Sequence, residues 1–133
     1  MATVLAALLL SGGPLAAHHA FTAEFDANKP VTLKGTVTRM EWTNPHAWLY
    51  IDVPDADGKV VNWGIECGAP NAMIRRGWNK KSIPLGTVVV VRGYQAKNGS
   101  ATANGANILL PDGRKLFVGS SGTGAPDDPD AKK

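Results

Sequence analysis

All three histidines of this chain fall in two short segments, Ala16-Ala17-His18-His19-Ala20-Phe21 and Thr43-Asn44-Pro45-His46-Ala47-Trp48. Cleavage after Ala17 would make His18 the first residue. A terminal histidine offers a metal two nitrogens at once, the free α-amine and the imidazole Nδ1, and a second imidazole brought near by folding adds a third. Such an all-nitrogen set suits copper. The expected metal ligands are therefore His18, His19 and His46, with copper as the cofactor. The plainer reading, a leader that ends before two histidines and a His46 that decorates a turn, carries equal weight on spacing alone.

A second constellation offers different chemistry. Trp48 and Tyr50 fall on one face of an expected strand, and Arg75, Arg76, Lys80 and Lys81 cluster around Trp78. Aromatics beside cations can hold a carbohydrate, an envelope polyanion or a protein partner without any metal. The alternative is therefore a metal-free binding module using Trp48, Tyr50, Arg75, Arg76 and Trp78, set against the solvated helix face that such a basic run usually makes. A third possibility is an oxidase with copper on the terminal histidine, for which no substrate surface is identifiable.

The segment before His18 is what would expose it. Met1–Leu10 is apolar, Ser11-Gly12-Gly13-Pro14 follows, and Leu15-Ala16-Ala17 has small residues where a signal peptidase cuts. This reads as a secretory signal peptide over 1–17, although no Lys or Arg precedes Lys29, so the usual positive start is missing. The apolar run is shorter than the ~20 residues of a membrane-spanning helix. A periplasmic or secreted location is expected, with no membrane span and no nucleic-acid partner.

Composition bounds the remainder. With 133 residues, less a leader and a tail, the chain fits one domain, expected over 18–118 with an N-terminal arm over 18–30 and a disordered tail over 119–133. Fourteen Lys+Arg against 11 Asp+Glu give +3, too small an excess to argue by itself for a polyanion. Fifteen glycines and nine prolines favour short strands and turns. Cys67 is the single cysteine, so no internal disulfide is possible, and it is expected to be buried and inert.

Local patterning then supplies the scaffold. Phe21, Ala23 and Phe25 alternate as an extended arm, Asn28-Lys29-Pro30 turns the chain, and Val31–Val37 alternates at the strand period. That period slips near Thr38-Arg39, which predicts a bulge and a bent strand. Strands follow at 48–53 and 60–67, with Val61, Trp63, Ile65 and Cys67 on one side. Pro70 opens a short helix with Met73, Ile74 and Trp78 at helical spacing. Strands at 87–94, 101–110 and 114–118 complete the order. Three strands, a helix, then two strands and a small extra one predict an all-β fold: an OB-like antiparallel barrel of five to six strands with one short helix between the third and fourth. A small sandwich is the rival.

Several of these stretches together also carry a likeness. His18-His19-Ala20-Phe21, Glu24-Phe25-Asp26, Lys29–Gly35, Glu41-Trp42-Thr43-Asn44-Pro45-His46-Ala47-Trp48, Pro70-Asn71, Arg75-Arg76-Gly77-Trp78 and Pro111–Arg114 resemble the pattern of an uncharacterised family of small exported bacterial proteins, domain of unknown function 6152. The resemblance implies export and a single domain, and it brings no catalytic residue.

Other chemistries lack their signals. Cys67 has no CxxC partner, and no GxSxG, GxxxxGK[ST] or GxGxxG pattern occurs. Glu24, Asp26, Glu41, Asp52 and Glu66 can in principle pair as glycosidase carboxylates, but acids scattered over strand faces are mostly solvated. An enzyme is the lesser expectation.

Overall fold

The computed structural model describes residues 21–120 and 124–126. Its order is β1 (Phe25–Glu41), β2 (Trp48–Pro54), β3 (Val60–Glu66), α1 (Pro70–Arg75), β4 (Val88–Ala96), β5 (Thr102–Leu109) and β6 (Lys115–Phe117). All six strands form one sheet in the order β3-β2-β1-β4-β5-β6. A further pairing of β3 with β5 closes five of them into a ring and leaves β6 outside. The fold is the expected mostly-β, OB-like arrangement with its short helix between β3 and β4. Every pairing is antiparallel except the closing one, which is parallel: Gly64↔Thr102, Ile65↔Ala103 and Glu66↔Asn104.

β1 organises the ring because it is long enough to serve two partners. It pairs with β4 from Phe25 to Thr36 and with β2 from Thr36 to Glu41. The expected irregularity near Thr38-Arg39 is present: Val37 faces Ile51 while Arg39 faces Tyr50, so Thr38 is the extra residue of a bulge. Asn28-Lys29-Pro30, expected as a turn, instead lies within β1. There the register moves from Phe25↔Ala96 to Pro30↔Tyr94, so five steps on β1 span two on β4 and the surplus bulges out. β4 and β5 meet at their own irregularity, between Arg92 and Gly93. A Cβ on Gly93 would sit 2.1 Å from the Asn104 carbonyl oxygen, so only glycine allows this approach.

The ring is filled by a cluster that includes Leu49, Ile51, Ile65, Met73, Ile83, Val89 and Ile108. Trp63, expected in this core, is half-buried and packs against it from the side. The six-residue α1 has Pro70 at its start, where no N–H is needed, and ends before Gly77, whose φ of 87° suits a residue without Cβ. Met73 points into the core, but Ile74 is 55% exposed, contrary to the expected shared face. Consecutive helical residues point about 100° apart, so so short a helix buries only one of the two.

A second, smaller cluster joins Phe21, Phe25, Tyr94, Ala96 and Ala125. The arm expected as an extended segment is helical over 21–24, and Ala23 is exposed. Phe21 and Phe25 are four apart, a spacing that one helical turn also brings to one side; their ring centroids lie 5.9 Å apart, and Phe21 meets Tyr94 edge-on at 5.7 Å. Of the tail expected to be disordered from Gly119, Gly119 and Ala125 are buried. Gly119 does so because its carbonyl accepts from Arg76 Nη1 at 2.7 Å, and Ala125 because it completes the aromatic cluster. Among the described residues no helix is long and apolar enough to cross a membrane.

Candidate functional site

His46 sits in the loop between β1 and β2, after a cis Asn44–Pro45 bond. The loop is tied to the end of β3: Ala47 N–H donates to the Gly68 carbonyl at 3.0 Å and Cys67 N–H to the Ala47 carbonyl at 2.8 Å. These bonds extend the β2–β3 ladder by one step past Trp48↔Glu66. His46 is thereby held beside Glu66, and its Nδ1 lies 2.9 Å from Glu66 Oε1.

Glu66 and Asn104 are the buried polar side chains among the described residues, 8% and 5% exposed. They are also direct partners in the parallel β3–β5 pair, and the Asn104 side chain hydrogen-bonds the Glu66 carboxylate. Burial pushes the Glu66 carboxyl above the usual range, and the Glu24 charge adds to that, while His46 and the Asn104 hydrogen bond pull it back. A buried acid with two polar partners is a built feature, since an unpaired one would be expelled or neutralised.

These groups line one cavity of about 430 Å³, whose wall also includes Phe21, Glu24, Pro45 and Trp48. The Nδ1 contact with Glu66 occupies one ring nitrogen, and in the neutral ring a proton on Nδ1 leaves the lone pair on Nε2. A carboxylate behind a histidine is the arrangement that orients an imidazole for a metal and raises its basicity. Among the described residues no group of three or more His, Cys, Asp or Glu side chains can hold a metal by itself. His18 and His19, the two other expected ligands, lie outside the described residues.

The metal-free candidates are dispersed. Trp48 lines the cavity, whereas Tyr50, Arg75, Arg76 and Trp78 do not. Trp78 is 3% exposed and donates its indole N–H to the Phe117 carbonyl at 3.3 Å, which makes it core. Arg76 lies over the Phe117 ring at 4.7 Å while binding Gly119. Arg75 is exposed at the end of α1. Trp48 and Tyr50 stack with centroids 6.4 Å apart and cover Gly64, whose missing side chain leaves the space. Arg39 caps Tyr50 at 3.8 Å and pairs with Glu41 at 3.0 Å, so the Tyr50 face is already occupied.

Cys67 is buried, and burial together with the neighbouring Glu66 charge pushes its thiol up to about 12. It is inert, as expected from its isolation.

Sequence reasoning passed over the two residues behind His46. Glu66 was grouped with solvated strand acids and Asn104 gave no signal. The available clue was topological: in a ring closed by a parallel β3–β5 pair, the last residue of β3 meets the early part of β5.

A family model described as "Family of unknown function (DUF6152)" matches residues 7–106. No curated protein and no solved structure matches the chain.

Proposed function

The chain belongs to this family of unknown function, so its activity has to be argued from its own residues, and we propose that it is an exported protein that binds copper through His18, His19 and His46. The observation that carries this reading is the hydrogen bond from His46 Nδ1 to Glu66, which commits one ring nitrogen and leaves Nε2 for a metal at the cavity wall.

Reach supports it as well. Phe21 lines the same cavity, and His18 precedes it by three residues, so their Cα atoms are separated by at most about 11 Å of extended chain. A leader cut after Ala17 would give His18 a free amine. The α-amine and Nδ1 of His18 with Nε2 of His46 form the three-nitrogen set, and His19 is the spare imidazole beside them. Nitrogen donors of this kind favour copper over other first-row divalent ions. Glu66 would hold the His46 ring in place, and Asn104 would hold Glu66. The metal-free reading retains Trp48 as its support, since Tyr50 and Trp78 are engaged in packing.

The test is a copper titration of protein whose first residue is confirmed by intact mass as His18. The His46→Ala variant and a form with one added residue before His18 should each bind more weakly by at least tenfold. Equal binding by all three forms, or affinity no tighter than about micromolar in the first, would reject the site in favour of a metal-free module.

A further inference from the structure

The outer face of the sheet, away from the cavity, carries a second constellation. Three strand pairings set Lys34, Val90, Leu109 and Lys115 in one row directly across β1, β4, β5 and β6. Two residues along, Arg92 faces Asn107, and two residues the other way Val88 follows on β4. Side chains two apart on a strand share a face, so Val88, Val90 and Leu109 form one aliphatic strip with Lys34, Arg92 and Lys115 around it. Val88 is 45% and Leu109 43% exposed. Two contiguous cavities, of about 250 and 150 Å³, open on this face and share Arg92, Asn107 and Lys115.

The charge on this face is one-sided. No carboxylate lines either cavity. Among the described residues the ion pairs are Arg39–Glu41, His46–Glu66 and Arg114–Asp112, so Lys34, Arg92 and Lys115 are all unpaired. Asp52, which borders the face opposite Thr36, is engaged by Asn62 Nδ2 at 2.8 Å. Single exposed aliphatics need no explanation, but Val88 and Leu109 exposed on either side of the half-buried Val90, with unpaired cations around them, form a patch that does.

We propose that this face docks the protein on an anionic lipid surface, with the Val88–Val90–Leu109 strip at the acyl boundary and Lys34, Arg92 and Lys115 on the headgroup phosphates. The four-strand row is broad and open rather than a closed pocket, which matches a planar partner. Long basic side chains at its two ends can reach outward to headgroups while the aliphatic centre is pressed against lipid. Three such cations raise partition onto an anionic over a neutral surface on the order of a hundredfold. This inference is independent of the copper reading, since it shares no residue with the cavity.

Flotation of the full chain with large unilamellar vesicles tests it. Phosphatidylglycerol vesicles at low salt should carry the protein and phosphatidylcholine vesicles should not. The pair Arg92→Ala/Lys115→Ala should weaken binding on the order of tenfold, and Leu109→Asp should also release the protein, each with an unchanged thermal melt because these side chains are exposed. The pair Lys80→Ala/Lys81→Ala removes the same charge from a different cavity, beside Thr38 and Arg39, and should leave binding intact. Binding lost equally in that pair would mean net charge alone is responsible. Competition by millimolar inorganic phosphate would mean a free-anion site, and no binding to phosphatidylglycerol would reject the proposal outright.

Discussion

The molecule has two hydrophobic clusters of very different size. The barrel cluster joins side chains from all five ring strands and from the segment after α1, while the arm cluster is five residues gathered from the two ends of the described chain and the end of β4. The first is surrounded by the five ring strands, with α1 and the segment after it contributing Met73, Trp78 and Ile83. The arm cluster is a local clasp on the outside. The contrast separates two tasks: the first cluster makes the fold, and the second fixes Phe21 and the start of β1 against the end of β4.

The largest effect should come from the barrel. Leu49 has no exposed surface, and Leu49→Ala should cost about 2–5 kcal/mol, a large part of what a domain of this size has. A denaturant midpoint that hardly moved would mean the ring interior is loosely packed. The dryness of that interior can be tested through Cys67. Its folded thiol titrates near 12 against an ordinary 9.0, so the unfolded chain alone loses this proton once pH exceeds about 9. Stability should therefore be unaffected well below pH 9 and fall as pH rises from there toward 12, by on the order of 1 kcal/mol at pH 10. Cys67→Ala should remove that part of the alkaline slope, seen by comparing urea midpoints of the two proteins at pH 8 and pH 10.

The arm should give a smaller response of another kind. Phe21→Ala should shift the global midpoint by less than about 1 kcal/mol, because the clasp can open while the ring stays closed. Limited proteolysis within residues 21–30 should nevertheless become faster. If Phe21→Ala destabilises as much as Leu49→Ala, the two clusters unfold as one unit and the division fails. Trp63→Ala should fall between these two variants, since the indole is half-buried beside the ring rather than inside it.

The ring was legible because its signals are local. Alternation in 31–37, the slipped phase at Thr38, the β-branched run at 88–91 and Pro70 before a helix each report on their own neighbourhood. The arm misled for the same reason: Phe21, Ala23 and Phe25 fit a period of two, and Phe21 with Phe25 also fits a helical turn, so the sequence pattern leaves both open until Tyr94 and Ala125 supply the packing partners. Trp63 was over-read because a large apolar residue in a strand counts equally whether it faces the ring or its flank. His46 was legible as a residue of interest. Its support was not, because Glu66 and Asn104 are 38 positions apart in the chain and meet only through the strand order.

That meeting has a kinetic consequence. The β1–β2 and β2–β3 hairpins join segments close in sequence and can form early, whereas the β3–β5 pair must close a loop of nearly forty residues before any contact rewards it. Glu66 and Asn104 lie within that closing pair. Until the ring shuts, Glu66 has no Asn104 beside it, so the β2–β3 hairpin alone can bring Glu66 to His46 but leaves the array incomplete. Formation of the intact His46–Glu66–Asn104 array thus reports that the β3–β5 pairing has been made, and a ligand that requires the array would bind only chains whose ring is closed and draw the folding equilibrium toward them.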